Sequence, residues 1–500
     1  MNMRRISITG ALAIGLAVIM AGCDSGKSLE SKIGTYVPDD ADIVVTVSLD
    51  KMLKATGSTV DKDGVLDPGQ AVNDLTGLMG EYERENFESL ISNPYVEWTN
   101  AVIAAKVVGR NTDVLAVVSV SDEEGFIKHL ANDTGGELTD VDGRKFVTWN
   151  DFSMTAYDGL GFFAMRHSEG CAPEVLQREI EKWKNRAKEK PLQQWKAERL
   201  TADRLLCAYV DFGFIPEDAL ERPELKRFAP LGKLFENSMF FDVNISDKRL
   251  TMKCEFVDKK GKGVNIAPGA EKIDASLLKY ATADQPLAIA MTGVKDLPLP
   301  KDNSFIAKIQ DNLKGTMIFA AGPSAESITG NMPANISAVS GTNFTLAMRF
   351  KSEKAAIEIL DYTSAQKESD ISEYVPGKRI VQRVCTGYAI NPDADYWEDN
   401  YYVAQYMTLY VNRYGDAVGV STSDKSGGCP VKASQLQGSM AAAVSLPAGS
   451  GLIKQLNQDF GLSAAVSVNG TGINAECEVS ETDEDFIATL MGMIGSLSKK

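Results

Sequence analysis

Phe240 to Phe256 reads FFDVNISDKRLTMKCEF, and Ala464 to Val479 reads AAVSVNGTGINAECEV. Apolar residues alternate with polar ones on both sides of a polar tip. Val243 and Ile245 precede the first tip, and Leu250 and Met252 follow it. Val466 and Val468 precede the second, and Ile473 and Ala475 follow it. Period two around Ser-Asp or Asn-Gly predicts a β-hairpin. The two stretches align without a gap, Cys254 on Cys477.

Working upstream, Leu115 to Leu130 (LAVVSVSDEEGFIKHL) matches Thr345 to Leu360 (TLAMRFKSEKAAIEIL). Each predicts a strand followed by a helix with an N-cap candidate, Asp122 or Ser352. Phe126, Ile127 and Leu130 form one apolar stripe; Ala356, Ile357 and Leu360 form the other. A third pair, Gly170-Cys171-Ala172-Pro173 and Gly428-Cys429-Pro430, follows the strand-like runs Leu160–Met165 and Ala417–Thr422. The spacings differ by insertions. The first half gains Glu174 to Leu200, a charged segment whose Leu176, Ile180, Trp183 and Ala187 fit one helical face. The second gains a loop around Asn391 to Asn400. The expected fold is α+β: two tandem similar modules, mostly antiparallel sheet with a few packed helices, over residues 36–262 and 280–500. A Gly-rich polar joint, Asp258 to Glu271, sets a linker at 263–279.

The N-terminus carries a secretory signal over residues 1–22. Arg4 and Arg5 precede an apolar run from Ile6 to Ala21, which ends in Met20-Ala21-Gly22-Cys23. This ending resembles the lipobox of bacterial lipoproteins. The resemblance implies cleavage before Cys23, a diacylglycerol thioether on its sulfur and an acyl chain such as palmitate on its new amine. Two or three chains anchor durably where one does not. Asp24 resembles the inner-membrane retention signal of enteric-type lipoproteins. Residues 23–35 read as a tether, with DSGKSLESKIG (24–34) a flexible leash. Tyr36-Val37-Pro38-Asp39-Asp40-Ala41-Asp42, leading into Ile43 to Val47, resembles the opening Pro-x-Asp-Ala strand of bacterial envelope lipoproteins of unknown function. That resemblance implies duplicated α+β units behind a lipid anchor, in the cell envelope at the periplasmic face or the cell surface. It implies no activity.

Composition narrows function. Among 500 residues, 68 are acidic and 52 are Lys or Arg, a net charge of −16 that argues against nucleic acid. With two histidines, His129 and His167, there is little material for a Ser-His-Asp triad. No Gly-x-Ser-x-Gly, His-Glu-x-x-His or Gly-x-Gly-x-x-Gly occurs, and no cofactor is expected. Thr59 to Gln70 (TVDKDGVLDPGQ) puts Asp61, Asp63 and Asp67 at ligand positions of a calcium loop around Gly64. Thr59 and Gln70 fail its first and last positions, so a polar turn is expected and no metal. In Asn391 to Tyr402 (NPDADYWEDNYY), Asp393, Asp395, Tyr396 and Trp397 suit sugar stacking or a protein interface, and the same stretch also reads as a plain hairpin connection. Six cysteines remain after Cys23. The repeat would impose equivalent bridges, Cys171–Cys254 and Cys429–Cys477; buried thiols are the other reading. The expectation is a non-enzymatic lipoprotein, binding or structural, whose partners are the membrane and an envelope protein or glycan. A hydrolase acting on glycan or peptide through paired carboxylates is the alternative.

Overall fold

The structure is a computed structural model. It describes residues 28–62, 64–69, 84, 88–108, 111–149, 152–166, 172–214, 236–246, 248–266, 271–293, 304–323, 342–366, 370–390, 402–450, 453–454, 459–483, 486–487 and 489. The chain divides into two compact units. The first is Met1–Val264 with Glu484–Lys500, and the second is Asn265–Asp483.

The first unit comprises α1 (Ser28–Tyr36), β1 (Ile43–Ser48), α2 (Leu49–Ala55), β2 (Thr59–Val60), β3 (Leu66–Asp67), β4 (Val96–Val108), β5 (Asn111–Val120), α3 (Glu123–Thr134), β6 (Glu137–Val141), β7 (Arg144–Trp149), β8 (Phe152–Tyr157), β9 (Leu160–Arg166), α4 (Pro173–Glu189), α5 (Gln194–Leu200), β10 (Leu206–Asp211), β11 (Ser238–Ser246) and β12 (Arg249–Val257). Ten strands pair antiparallel in the order β12-β11-β10-β1-β4-β5-β9-β8-β7-β6.

The second unit comprises β13 (Leu287–Met291), α6 (Ser304–Asn312), β14 (Leu313–Pro323), β15 (Thr342–Phe350), α7 (Glu353–Gln366), β16 (Ile371–Val375), β17 (Arg379–Ile390), β18 (Tyr402–Tyr414), β19 (Ala417–Ser421), β20 (Met440–Leu446), β21 (Gly461–Asn469) and β22 (Gly472–Ser480). Its order is β22-β21-β20-β13-β14-β15-β19-β18-β17-β16, again antiparallel. The expected mostly antiparallel sheet with packed helices is present. Both quoted hairpins form, β11–β12 and β21–β22.

Local signals explain the helices. Asp122 Oδ1 accepts the Glu124 and Gly125 N–H groups at 3.1 Å, capping α3, and Gly135 ends it in the left-handed region at φ 65°. Phe126, Ile127 and Leu130 are buried as their spacing requires. The Ser352 hydroxyl accepts the Ala355 N–H at 3.1 Å and caps α7. There Ile359 joins Ala356 and Leu360 in the core, and Ile357 is half-buried beside Gly377. Pro173 opens α4, and Leu176, Ile180, Trp183 and Ala187 bury one face of it.

In the first unit, α1, α4 and α5 cover one sheet face, over Val44, Val102, Leu115, Phe162, Tyr209 and Phe240. Segments α2 and α3 cover the other, over Val47, Ala101, Ala116, Val118 and Phe163. The aspartates of the Pro-x-Asp-Ala stretch staple the start of β1 to the α4–α5 segment and to β4. Asp39 accepts the Gln193 N–H and Nε2 at 3.2 and 2.8 Å. Asp40 receives both prongs of Arg186 at 2.8 Å and Lys190 Nζ at 2.6 Å. Asp42 takes Lys106 Nζ at 2.6 Å and the Val107 N–H at 2.7 Å. Burial alone would raise the Asp40 carboxyl; the Arg186 and Lys190 hydrogen bonds and charges outweigh it and bring it to about 2.

Three boundaries differ from expectation. The tether is shorter than 23–35, because α1 begins at Ser28 and buries Ile33, Tyr36 and Val37 in the first core. Residues 271–279 of the expected 263–279 linker are not a loose linker. Ile273, Leu277 and Leu278 sit in the second core, and the Ile273 N–H donates to Gly438 O at 2.9 Å. The second module stops at Asp483 rather than 500: the segment after it belongs to the first unit, where Phe486 is 2% exposed.

Candidate functional site

Several predicted site residues lie outside the described residues: Cys23, Asp63, Asp393, Asp395, Tyr396, Trp397, Cys171 and His167. The last loop joins β17 and β18, which pair from Arg379↔Asn412 to Ile390↔Tyr402. Asp61 lies in the β2–β3 turn, and Asp67 is in β3, opposite Thr59. Asp61 Oδ1 accepts the Val65 N–H at 2.9 Å, the bond of a polar turn. Gly64 is required there at φ 84°, where a Cβ would stand 2.6 Å from Pro94 O. Among the described residues, no three His, Cys, Asp or Glu side chains group to hold a metal.

Cys207, Cys254, Cys429 and Cys477 are thiols, so the expected Cys429–Cys477 bridge is not formed. Cys429 instead donates to Gln285 O at 3.3 Å. Burial pushes all four thiols up, Cys207 to about 12 with help from the Asp242 charge. They pack as small apolar side chains rather than nucleophiles.

Two clusters resemble catalytic sets and fail on geometry. Ser92 Oγ lies 3.4 Å from His129 Nε2 and 3.2 Å from Asp133 Oδ2. A relay needs the imidazole between hydroxyl and carboxylate; here the serine reaches the carboxylate directly. Asp113 and Glu179 both contact the Lys182 ammonium, at 2.5 and 3.2 Å. Their side chains are 4% and 3% exposed between β5 and α4, closed to a substrate and held by a cation. A cavity of about 360 Å³ between α2 and the end of β11 is floored by Ile245 and Phe486. Its cations are already engaged, Lys51 with Asp203 at 2.6 Å and Lys54 with Asp50 at 3.3 Å.

The second sheet has the most unusual surface. One face is floored by Ala288, Ala290, Ala320, Ala347, Ala441, Ala443 and Ala465, buried against Leu277, Leu278, Val431 and Leu436. The opposite face is apolar too. At its β15–β19 side, α7 covers it with Ala355, Ala356, Ile359 and Leu360. At its β13–β20–β21 side no described helix covers it. Leu287 and Ile289 are 37% and 40% exposed, and Met440 and Val466 are 52% and 46% exposed. Ladder register brings them together: Ile289 faces Ala442 on one side and Phe319 on the other, and Ala442 faces Val466. A strand with one solvated face ordinarily alternates apolar-in with polar-out. In Leu287-Ala288-Ile289-Ala290-Met291 the alanines point in, and the larger side chains point out or stand half-buried. Sequence reasoning missed this patch. The signal was present as strands apolar on both faces, which read equally as doubly covered strands.

No protein-family model matches the chain, and no curated protein matches it. Among solved structures it is similar to TP0453. Crystal form IV matches at 10% identity and a TM-score of 0.28, over 46% of this chain and 81% of that one. Crystal form III matches at 8% identity and the same TM-score, over 45% and 78%. A likeness at that TM-score carries no argument about fold or function. Among the described residues, no helix is long and apolar enough to cross a membrane.

Proposed function

We propose that the chain is a non-enzymatic binding lipoprotein of the bacterial cell envelope, anchored through acylated Cys23, with the bare end of the second sheet as its binding surface. The outward-facing Leu287, Ile289, Met440 and Val466 carry this reading, because contiguous exposed apolar surface marks interaction sites. Two copies of one module form the body. The repeated strand order and the three aligned sequence pairs support that. The lipobox supports the anchor. With α1 starting at Ser28, only residues 24–27 separate it from the acylated cysteine. At about 3.5 Å per residue, that chain holds the first unit within roughly 20 Å of the lipid surface.

The anchor is tested by intact mass and fractionation. The wild-type chain is expected in the membrane fraction with a mass increment on Cys23, and Cys23→Ala in the soluble fraction. An unmodified wild-type Cys23 sinks the anchored reading.

A further inference from the structure

We propose that two copies of the chain pair through the exposed apolar face of the second sheet, which packs against itself about a two-fold axis. The proposal rests on reading that face as the binding surface and names its partner. Ladder register carries the face across five strands. Its middle row runs Phe319, Ile289, Ala442, Val466 and Ala475, from β14 through β13, β20 and β21 to β22. One flanking row passes through Leu287, Val444 and Ala464 to Cys477. The other passes through Met291, Met440 and Val468 to Ile473. None of these side chains carries a nitrogen or an oxygen. Strands β13, β20 and β21 are paired on both sides, so a partner meets side chains only.

Area, composition and relief select the occupant. Five strands about 4.8 Å apart and three rows about 6.8 Å apart cover on the order of 500 Å². Two copies then bury about 1,000 Å², where specific protein interfaces begin. The pair is therefore reversible, and the dilute chain leaves the face open. Composition favours a second copy over an unrelated protein. Interfaces that form and dissolve between different proteins are about 57% apolar and carry about one hydrogen bond per 100–200 Å²; homodimer interfaces are the more apolar class. Relief points the same way. Large and small side chains alternate along the middle row. Ile289 and Val466 stand out at 40% and 46% exposed, with Ala442 between them and Ala475 beyond. A two-fold axis along the strands, passing between β20 and β21, sets Ile289 of each copy over Ala475 of the other, and Val466 over Ala442. Facing sheets interdigitate in this way about 10 Å apart. A different partner has to supply the matching knobs and holes; a second copy supplies them by symmetry.

The test uses the full mature chain carrying Cys23→Ala, with mass followed by sedimentation equilibrium from about 1 to about 200 µM. The chain is expected to pass from one copy to two across that range. Ile289→Asp and Val466→Asp should each weaken pairing by about tenfold or more, because each buries a charge. Ala442→Leu should weaken it about tenfold by filling a hole, although it makes the face more apolar. Leu138→Asp, at a leucine 49% exposed on β6 of the first unit, should leave pairing unchanged. Circular dichroism verifies that each variant folds. A parent chain that stays monomeric throughout overturns the proposal. So does pairing that folded Ile289→Asp and Val466→Asp leave unmoved, or that Ala442→Leu strengthens. The dye anilinonaphthalene sulfonate separates that failure from failure of the binding-surface reading. Dye fluorescence on a monomeric parent chain that Ile289→Asp removes leaves the face open to another partner, and the reading survives. Equal fluorescence in the two sinks both. The Cys23 test reads the anchor separately.

Discussion

The two units solve the same sheet in opposite ways. In the first, the helices α1 and α4 pack Tyr36 and Trp183 over a face bearing Phe146, Phe162, Tyr209 and Phe240. In the second, the matching face is floored by alanines, and a short 3₁₀ turn, Ala275–Tyr280, is packed close against it. A helix standing about 10 Å from a sheet leaves space that only large side chains fill; a single turn laid close leaves room for methyl groups. The opposite faces diverge too. Val47 stands five residues after Asp42 and is 1% exposed under α2. Ile289 stands five residues after Asp284 and is 40% exposed. Central-strand positions in two sheets of one strand order are thus core in one unit and surface in the other. Cover, not strand sequence, makes the difference.

The largest expected break in this comparison is Trp183→Ala. It removes the biggest side chain of α4 from the first unit's aromatic core, where Trp183 is 2% exposed. The cost should be about 3–5 kcal/mol. Urea unfolding followed by far-ultraviolet circular dichroism measures it. A loss below about 1 kcal/mol would show that the inserted helix adds little to the first core.

The inserted helix was legible because its apolar positions keep strict helical spacing over charged neighbours. The hairpins were legible because their alternation meets a two-residue tip. Other features rest on contacts distant in sequence. Among the described side chains of α1, Ile33 and Tyr36 are the buried ones, too few for a periodic signal, so the segment read as a leash. Phe486 lies far along the chain from Ile245, with which it lines a cavity. The staple formed by Asp39 and Asp40 was visible as a motif but not as an ion network, because its partners Arg186, Lys190 and Gln193 lie some 150 residues away. The bare patch was hidden because both faces of β13 are apolar, and nothing within the strand says which face lacks a lid.

A smaller effect separates the units by pH. Asp40 is held at about 2 by Arg186 and Lys190, below its ordinary 3.8. A carboxyl depressed in the folded state stabilises above its unfolded pKa, and that contribution fades as pH falls from about 4 through 2. Discounted for solvent screening of a group 25% exposed, it is about 1 kcal/mol. Asp40→Asn should lower stability by that amount at pH 7 and by progressively less below pH 4. In the second unit, Asp284 meets Thr282 and Asn343, and no cation pairs with it among the described residues. Urea midpoints at pH 7, 4 and 3 make the comparison. An Asp40→Asn deficit that stays constant across that range would contradict the assignment.

The smallest effect is the most discriminating. Met440 is 52% exposed and Ala441, its chain neighbour, is 5% exposed on the alanine floor. If the open face is surface in the working protein, Met440→Thr removes no buried contact and keeps a residue suited to a strand. Its stability should stay within about 0.5 kcal/mol of wild type. Ala441→Leu, one residue along, forces added methylenes into the floor and should cost about 1–3 kcal/mol. Were Met440→Thr to cost as much as Ala441→Leu, something in the folded protein would already cover the patch. The second unit would then be as fully covered as the first, and the contrast between them would vanish.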